Sequence, residues 1–505
     1  MNATRTLLKR RLASPNALLA IVCLAQFMVI LDVSVVNVAL PSIRSGLHFS
    51  ATGLQWVINA YTLTFAGLLM LGGRSADLLG RRRVFLAGTA MFALSSLLCA
   101  LAASRGMLIA ARGIQGIAGA VSSPATLSII TSTLPEGRER NRGLAAWGAV
   151  GALGASSGAL LGGALTQWVG WQAIFAVNVP LGALVLALGP LAIPSIAPVA
   201  DRERHFDALG AALITGGLVA VAFGIVRTDT VGWASPGVLA PLCAGVLALA
   251  AFGWVEARVA RAPLVPLRIF RLRRLRAANL VVLLLYAANF PTWFFITLYL
   301  QQVLHMDAIE AGLAFLPMTG SIFLGSTLAP RVVARLSPRV VIVAAMACTT
   351  AGLLELSGIT PGGSYLSNVL AGSVLTAIGM GFTLVPATIV AMQGVAGADS
   401  GVASGVLNTS RLLGGALGLA VLATIASAGT AGHVGAGAAR ALTHGFDRAF
   451  LVAAALALVA AAVAAVALRP AADARAVAMA PAESAGPAGS AQLAEGEAGE
   501  PVLAA

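Results

Sequence analysis

Within the stretch ILDVSVVNVALP (Ile30 to Pro41) a single carboxylate, Asp32, interrupts an apolar run. A carboxyl group in such a place can take up and release a proton, or pair with a cation. A cation inside a second apolar run is available at Arg112, which opens RGIQGIAGA (Arg112 to Ala120). An Asp at the centre of a bilayer-spanning helix costs about 2.5 to 3.5 kcal/mol on insertion scales, so it faces a cavity or a partner and reads as functional by default. Of the 19 acidic residues, nearly all the others fall in loops, at helix ends or in the C-terminal stretch, with Glu355 next in depth.

The elements that must position these two residues are membrane helices. The 505 residues are 58% hydrophobic and 10% charged, with a mean hydropathy of +0.91, outside the range of a soluble core. A span needs about 20 mostly apolar residues. Fourteen such runs follow one another, the first near 17–40, the fifth near 143–167 and the last near 446–468, so we expect an all-α integral membrane protein. The first run follows Arg5, Lys9, Arg10 and Arg11 but is too long for a signal peptide, and Pro41 closes it without a cleavage site, so it reads as a retained helix. Cys23, Cys99, Cys243 and Cys348 lie in apolar runs without metal-ligand spacing and read as packing residues.

With the N-terminus inside, 25 of the 32 Lys and Arg residues fall in cytoplasmic segments, so both termini are expected to be cytoplasmic. Topology accounts for the net charge of +13 better than a nucleic-acid partner does. In that frame Asp32 and Arg112 sit roughly 13 Å and 9 Å from the outer ends of their helices at 1.5 Å per residue. A direct or water-bridged ion pair fits, while the alternative is that Arg112 snorkels to the outer headgroups.

A weak internal repeat lays GAVSSPATLSII (Gly119 to Ile130) over GFTLVPATIVAM (Gly381 to Met392). It fits two six-helix bundles with an extra helix pair between them, as in transporters that rock about a midplane site. The resulting division is a cytoplasmic N-terminus over 1–16, a first bundle over 17–194, a linker with two extra transmembrane helices over 195–276, a second bundle over 277–468 and a disordered tail over 469–505. The tail is rich in Ala, Pro, Gly and Glu and cannot bury a core.

Glycines at 151, 154, 158, 162 and 163 (Gly151, Gly154, Gly158, Gly162 and Gly163) give one helix small faces that allow close contact, as static packing or as a moving surface. The segment GGRSADLLGRRR (Gly72 to Arg83) joins the second and third helices, and Asp77 there can accept hydrogen bonds from arginines, as a latch or as part of an ordinary positive-inside loop.

This segment resembles the loop signature of the major facilitator superfamily, matched at Gly73, Asp77, Gly80, Arg81 and Arg82, with Leu78 where many members carry a basic residue. LDVSVVNVALP, RGIQGIAGA, WGAVGALGASSGALLGG (Trp147 to Gly163), WQAIFAVNVPLG (Trp171 to Gly182) and GVASGVLNTSRLLGGALGLAVLATI (Gly401 to Ile425) are similar to motifs of its fourteen-helix drug:proton antiporters. Ala159, Gln172, Ala173 and Leu412 depart from those patterns. The resemblance implies proton-coupled efflux of amphipathic organic compounds by alternating access, across a bacterial inner membrane.

In that reading Asp32 and Arg112 couple the proton, and each proton entering supplies about 2.3 kcal/mol per 100 mV. Candidate cavity residues, chosen by chemistry, are Asn37, Asn59, Tyr61, Gln115, Asn289, Trp293 and Asn408, with Gln55, Tyr299 and Asn368 in support. We find no phosphate-binding loop, metal cluster or nucleophile-base pair in the sequence, so neither a cofactor nor enzyme chemistry is expected. A dedicated exporter of one metabolite or antibiotic is the alternative, a non-transporting sensor a weaker one, and an envelope adaptor is left open.

Overall fold

A computed structural model describes residues 14–135, 138–194, 207–260, 263–265, 267–395, 400–433 and 437–468. The described residues contain no strand. In a bilayer every backbone polar group must be satisfied inside its own segment, and apolar runs of this length achieve that only as helices. Helix starts are set by side chains that accept the first free N–H groups. Ser14 accepts from the amide of Ala17, Ser104 from Met107, Asp207 from Gly210 and Ser337 from Val340.

Fourteen long helices result among the described residues. The first six are α1 (Pro15–Leu47), α2 (Trp56–Leu79), α3 (Arg81–Ala100), α4 (Arg105–Thr133), α5 (Arg138–Trp168) and α6 (Asn178–Ala192). A pair follows, α7 (Ala208–Val231) and α8 (Pro236–Arg258). The last six are α9 (Arg273–Leu298), α10 (Leu316–Val333), α11 (Pro338–Leu356), α12 (Leu370–Met392), α13 (Ser400–Ala431) and α14 (Ala438–Ala467). Short turns precede α2, α6 and α10 at Ala51–Leu54, Ala173–Ala176 and Ala308–Ala314. Thirteen of these segments meet the length and composition of a membrane span among the described residues, and α5, at 31 residues, is the one outside that set.

Packing follows the expected internal repeat. In the first six helices α1 packs on α5, α2 and α3 on α4, and α3 on α6. In the last six, α9 packs on α13, α10 and α11 on α12, and α11 on α14. The aligned Gly119 and Gly381 do the same work in each set: Gly119 faces Tyr61 and Phe65 of α2, and Gly381 lies against Ile322 and Gly325 of α10. The two sets meet along two seams, α2 with α13, and α5 with the segment Ala308–Ala314 and α10. The α7–α8 pair joins through α7, which packs on both α2 and α13.

On the face where α1, α5 and α9 end, polar contacts tie the two sets together. Gln301 donates to the carbonyl of Val38 at 2.8 Å, Arg44 to Gln302 at 3.1 Å, and Gln167 to Asp307 at 3.1 Å. The Glu310 amide, helped by Gln167, holds the Asp307 carboxyl below the usual carboxylate range.

Three expectations are corrected. Pro41 does not end α1, which continues to Leu47: proline removes one donor, and the flanking apolar residues keep the helix intact. Asp32 is therefore 15 residues from the end of its helix, not about nine. α14 starts at Ala438 and not near 446, so Arg440, expected before the helix, is helical. Glu256 near the end of α8 is 5% exposed, its carboxylate accepting the amides of Leu264 at 3.3 Å and Val265 at 3.0 Å.

Backbone geometry separates the glycines of the 72–83 segment. Gly80 joins α2 to α3 at φ +96°, in the region that L side chains avoid. A Cβ on Gly72 would lie 2.7 Å from the carbonyl carbon of Ala120, whereas on Gly73 it would meet only Pro124 Cβ at 3.6 Å. Gly72→Ala is therefore expected to destabilise the α2–α4 contact by about 1 to 3 kcal/mol, and Gly73→Ala to leave stability nearly unchanged. Thermal melting of both variants in detergent checks this, and equal melting temperatures would contradict it.

Candidate functional site

Asp32 lies midway along α1 and is fully buried, as is Arg112 at 1% exposure. The two form a direct ion pair, Arg112 Nη1 donating to Asp32 Oδ2 at 2.5 Å. The other carboxylate oxygen, Oδ1, accepts from Gln115 Nε2 at 2.8 Å and from Asn178 Nδ2 at 3.0 Å. Arg112 also donates to Gln115 Oε1 at 2.6 Å, and its Nε to the backbone carbonyl of Val57 at 2.8 Å. Gln115 completes its own bonding by donating to Ser96 Oγ at 2.7 Å.

Each element supplies one part. Arg112 and Gln115 are three residues apart on α4 and so share a helix face toward α1. α3 brings Ser96, the start of α6 brings Asn178, and α2 offers the Val57 carbonyl together with the ring of Tyr61, 4.4 Å from the guanidinium carbon. Phe175 closes the far side at 5.6 Å. Two unlike charges removed from water are tolerable only when paired and hydrogen-bonded, and here three donors converge on the carboxylate. The site lies wholly within the first six helices.

The remaining candidates disperse. Gln115 belongs to the ion-pair network, as Tyr61 does through its ring; the Tyr61 hydroxyl has no partner among the described residues. Asn37 is buried and donates to Val33 of its own helix at 3.2 Å. Asn289 donates likewise to Leu285 at 3.1 Å, leaving its oxygen without a partner among the described residues. Trp293 stacks on Phe315 at 5.0 Å between ring centroids. Gln55 and Asn59 are fully buried on one face of the α2 end with no side-chain partner among the described residues, and Asn408 is half-buried on α13. Tyr299 donates to the Thr360 carbonyl at 2.8 Å and Asn368 to the Thr360 hydroxyl at 3.4 Å. A 640 Å³ groove runs along Leu384 to Gln393 and a 300 Å³ one is lined by Ser14, Arg82 and Pro190; no cavity candidate lines either.

Glycines 154, 158 and 162 face α1 at Ile30, Ser34 and Val35, while Gly163 faces Ala308 and Ile309 across the seam between the two sets. The expected single glycine surface is thus divided between two neighbours. The position of Gly151 carries no described contact, the Asp77 side chain lies outside the described residues, and Arg81 and Arg82 stand in the first turn of α3.

Sequence reasoning missed Asn178 and Ser96. Asn178 was within reach as an amide flanked by apolar residues in WQAIFAVNVPLG, but nothing in Ser96 distinguishes it from other helical serines.

Two six-helix sets of equivalent packing with a helix pair between them, and a buried charge pair inside the first set, define a polytopic membrane protein among the described residues. Residues 22–419 match the family model described as Major Facilitator Superfamily, and the chain belongs to that family. It is 43% identical over 433 residues to the cephamycin export protein of Amycolatopsis lactamdurans, covering 85% of this chain and 89% of that protein. It is 39% identical to the puromycin resistance protein of Streptomyces alboniger, over 82% of each chain. The multidrug resistance protein Stp of Mycobacterium tuberculosis is 34% identical, over 80% of this chain and 74% of that one. Among solved structures, the peptide-transporter-family PepTSo superposes with a TM-score of 0.66 at 15% identity, covering 90% of this chain and 98% of that one. An inward-facing bacterial homologue of the human lysosomal transporter Spinster gives 0.63 at 17%, covering 90% of this chain and 96% of that one.

Removing one member of a buried pair strands the other. Arg112→Ala is expected to cost about 3 to 5 kcal/mol of stability, and adding Asp32→Asn to it to recover part of that loss. Melting temperatures of the wild type, both single variants and the double variant test the pair. Additive losses would show that the two charges do not depend on each other.

Proposed function

We propose that this chain is a proton-coupled antiporter that exports amphipathic organic compounds from a bacterial cell, with Asp32 carrying the proton. The observation that carries the reading is the Asp32–Arg112 pair, a charge deep in a membrane helix whose bonding depends on its being ionised. The export and resistance roles in the names of the relatives at 43% and 39% identity support the direction of transport.

Protonation of Asp32 removes the negative member of the pair. Arg112 then keeps the Val57 carbonyl and Gln115 Oε1, while the amides of Gln115 and Asn178 lose the anion they donate to. Four helices, α1, α2, α4 and α6, meet at this point, so the change acts on how they pack. Arg112 is the positioning residue, holding the carboxylate ready to be protonated in one state and shielded in another. Both termini are cytoplasmic in this scheme, α1–α6 and α9–α14 rock as two bodies, and the 73–83 segment with Gly73, Asp77, Gly80, Arg81 and Arg82 latches them. The proton gradient is the energy source, with no resident cofactor.

A second reading is a dedicated exporter of one compound, favoured by the cephamycin export name of the 43% relative. A broad panel of drugs separates the two by the number of compounds moved.

Proton-driven uptake of rhodamine 6G and of fluorescein into inside-out vesicles tests coupling. The wild type is expected to accumulate dye when the lumen is acidified, and Asp32→Asn to lose gradient-driven accumulation by roughly tenfold or more, the loss expected when one proton's worth of driving force at 100 mV is removed. Undiminished accumulation by Asp32→Asn would sink the assignment of the proton to Asp32.

A further inference from the structure

A further charged side chain stands inside a membrane helix, and the coupling site does not use it. Arg411 is on α13, 11 residues beyond its first residue, Ser400. At about 1.5 Å per residue this is some 16 Å along the helix. Among the described residues it has neither a carboxylate partner nor a hydrogen bond, and the ring of Tyr286 on α9 lies 5.6 Å from its guanidinium carbon. Arg112 by comparison donates three hydrogen bonds besides its ring contact with Tyr61. A membrane-embedded arginine without an internal anion is tolerated when it faces water or a ligand that supplies one.

Its surroundings point the same way. Arg411 is half-buried, not sealed. Its neighbour Leu412 packs on the cluster of Tyr61, Phe65 and Leu69 in the first six helices, and Gly405, below it on the same helix, lies against Met70 of α2. This part of α13 therefore borders the junction between the two helix sets. On α9, Tyr286, Phe290 and Trp293 recur at helical spacing and are each half-buried, and Phe290 lies against Gly415 one turn beyond Arg411. A fixed cation beside a stripe of aromatic faces is complementary to a molecule with an anionic group on a flat apolar body.

We propose that Arg411 is a specificity-determining residue that binds the anionic group of the exported compound, so that this transporter accepts amphipathic organic anions, with Tyr286 and Phe290 against the apolar part. The proposal rests on the efflux reading for its physiological meaning, and binding tests it without transport. Fluorescein and rhodamine 6G share a xanthene body, but the first is anionic and the second, its carboxyl esterified, cationic.

Fluorescence anisotropy of each dye is titrated against the purified full chain in detergent, for wild type, Arg411→Gln and Arg411→Lys. Arg411→Gln is expected to weaken fluorescein binding about tenfold or more, the effect of losing one charge-assisted contact. Arg411→Lys is expected to retain part of it, and rhodamine 6G to bind all three proteins alike, which also reports that the variants are folded. Unchanged fluorescein binding in Arg411→Gln, absence of fluorescein binding to the wild type, or equal loss of both dyes would overturn the proposal. Displacement of fluorescein by phosphatidylglycerol but not by phosphatidylcholine would mark a lipid phosphate as the occupant and overturn it as well. Arg411-dependent fluorescein binding without gradient-driven uptake of either dye would leave this site standing and remove the efflux reading instead.

Discussion

The constraint on which the first six helices depend is the burial of one carboxylate where water cannot solvate it. Asp32 meets that constraint with the guanidinium of Arg112 and with two amides, drawn from α4 and α6. Arg112 in turn spends its remaining donor capacity on a backbone carbonyl of α2 and on Gln115. The central residues therefore tie α1, α2, α4 and α6 to one point, and a change in the charge of one group is felt at all of these helices. This is the property a proton-driven machine needs: a small chemical event with a large set of packing consequences.

The glycines supply the complementary property. Where α5 meets α1, Gly154, Gly158 and Gly162 bring the backbones close, and on its other side Gly163 touches the second set of helices at Ala308. The helix that borders the Asp32 helix is thus also a seam between the two sets. On the face where α1 and α9 end, Arg44, Gln301, Gln167 and Asp307 hold the sets together by side-chain bonds. Exchanging such polar contacts for water costs little, whereas separating an apolar interface would cost far more.

Much of this was legible in the sequence, for physical reasons. Bilayer thickness sets the length of an apolar run, so the helices and their repeat could be counted, and a deep carboxylate is expensive enough that Asp32 and Arg112 stand out unaided. With a helix ending at Pro41 those two residues stand at one height, yet α1 runs on to Leu47. The pair forms nevertheless, because depth along the helix from its end is a poor measure when helices extend beyond one another. Asn178 escaped because a neutral amide carries no comparable cost, and the dispersed cavity candidates show the same weakness. Asn37 and Asn289 have polar side chains that bond to the carbonyl one turn back in their own helices, a local solution that composition cannot distinguish from a ligand contact. Arg411 falls in the apolar stretch Gly401 to Ile425, but only the fold shows that no carboxylate among the described residues meets it.

The central claim is that Asp32 exchanges a proton as part of the transport cycle. It is tested most directly by measuring proton release from the purified protein in weakly buffered detergent when rhodamine 6G binds, with a pH-indicator dye, over a range of starting pH. The account predicts that binding displaces a proton from the wild type and none from Asp32→Asn. Equal release from both proteins, or none from the wild type at any pH, would contradict it.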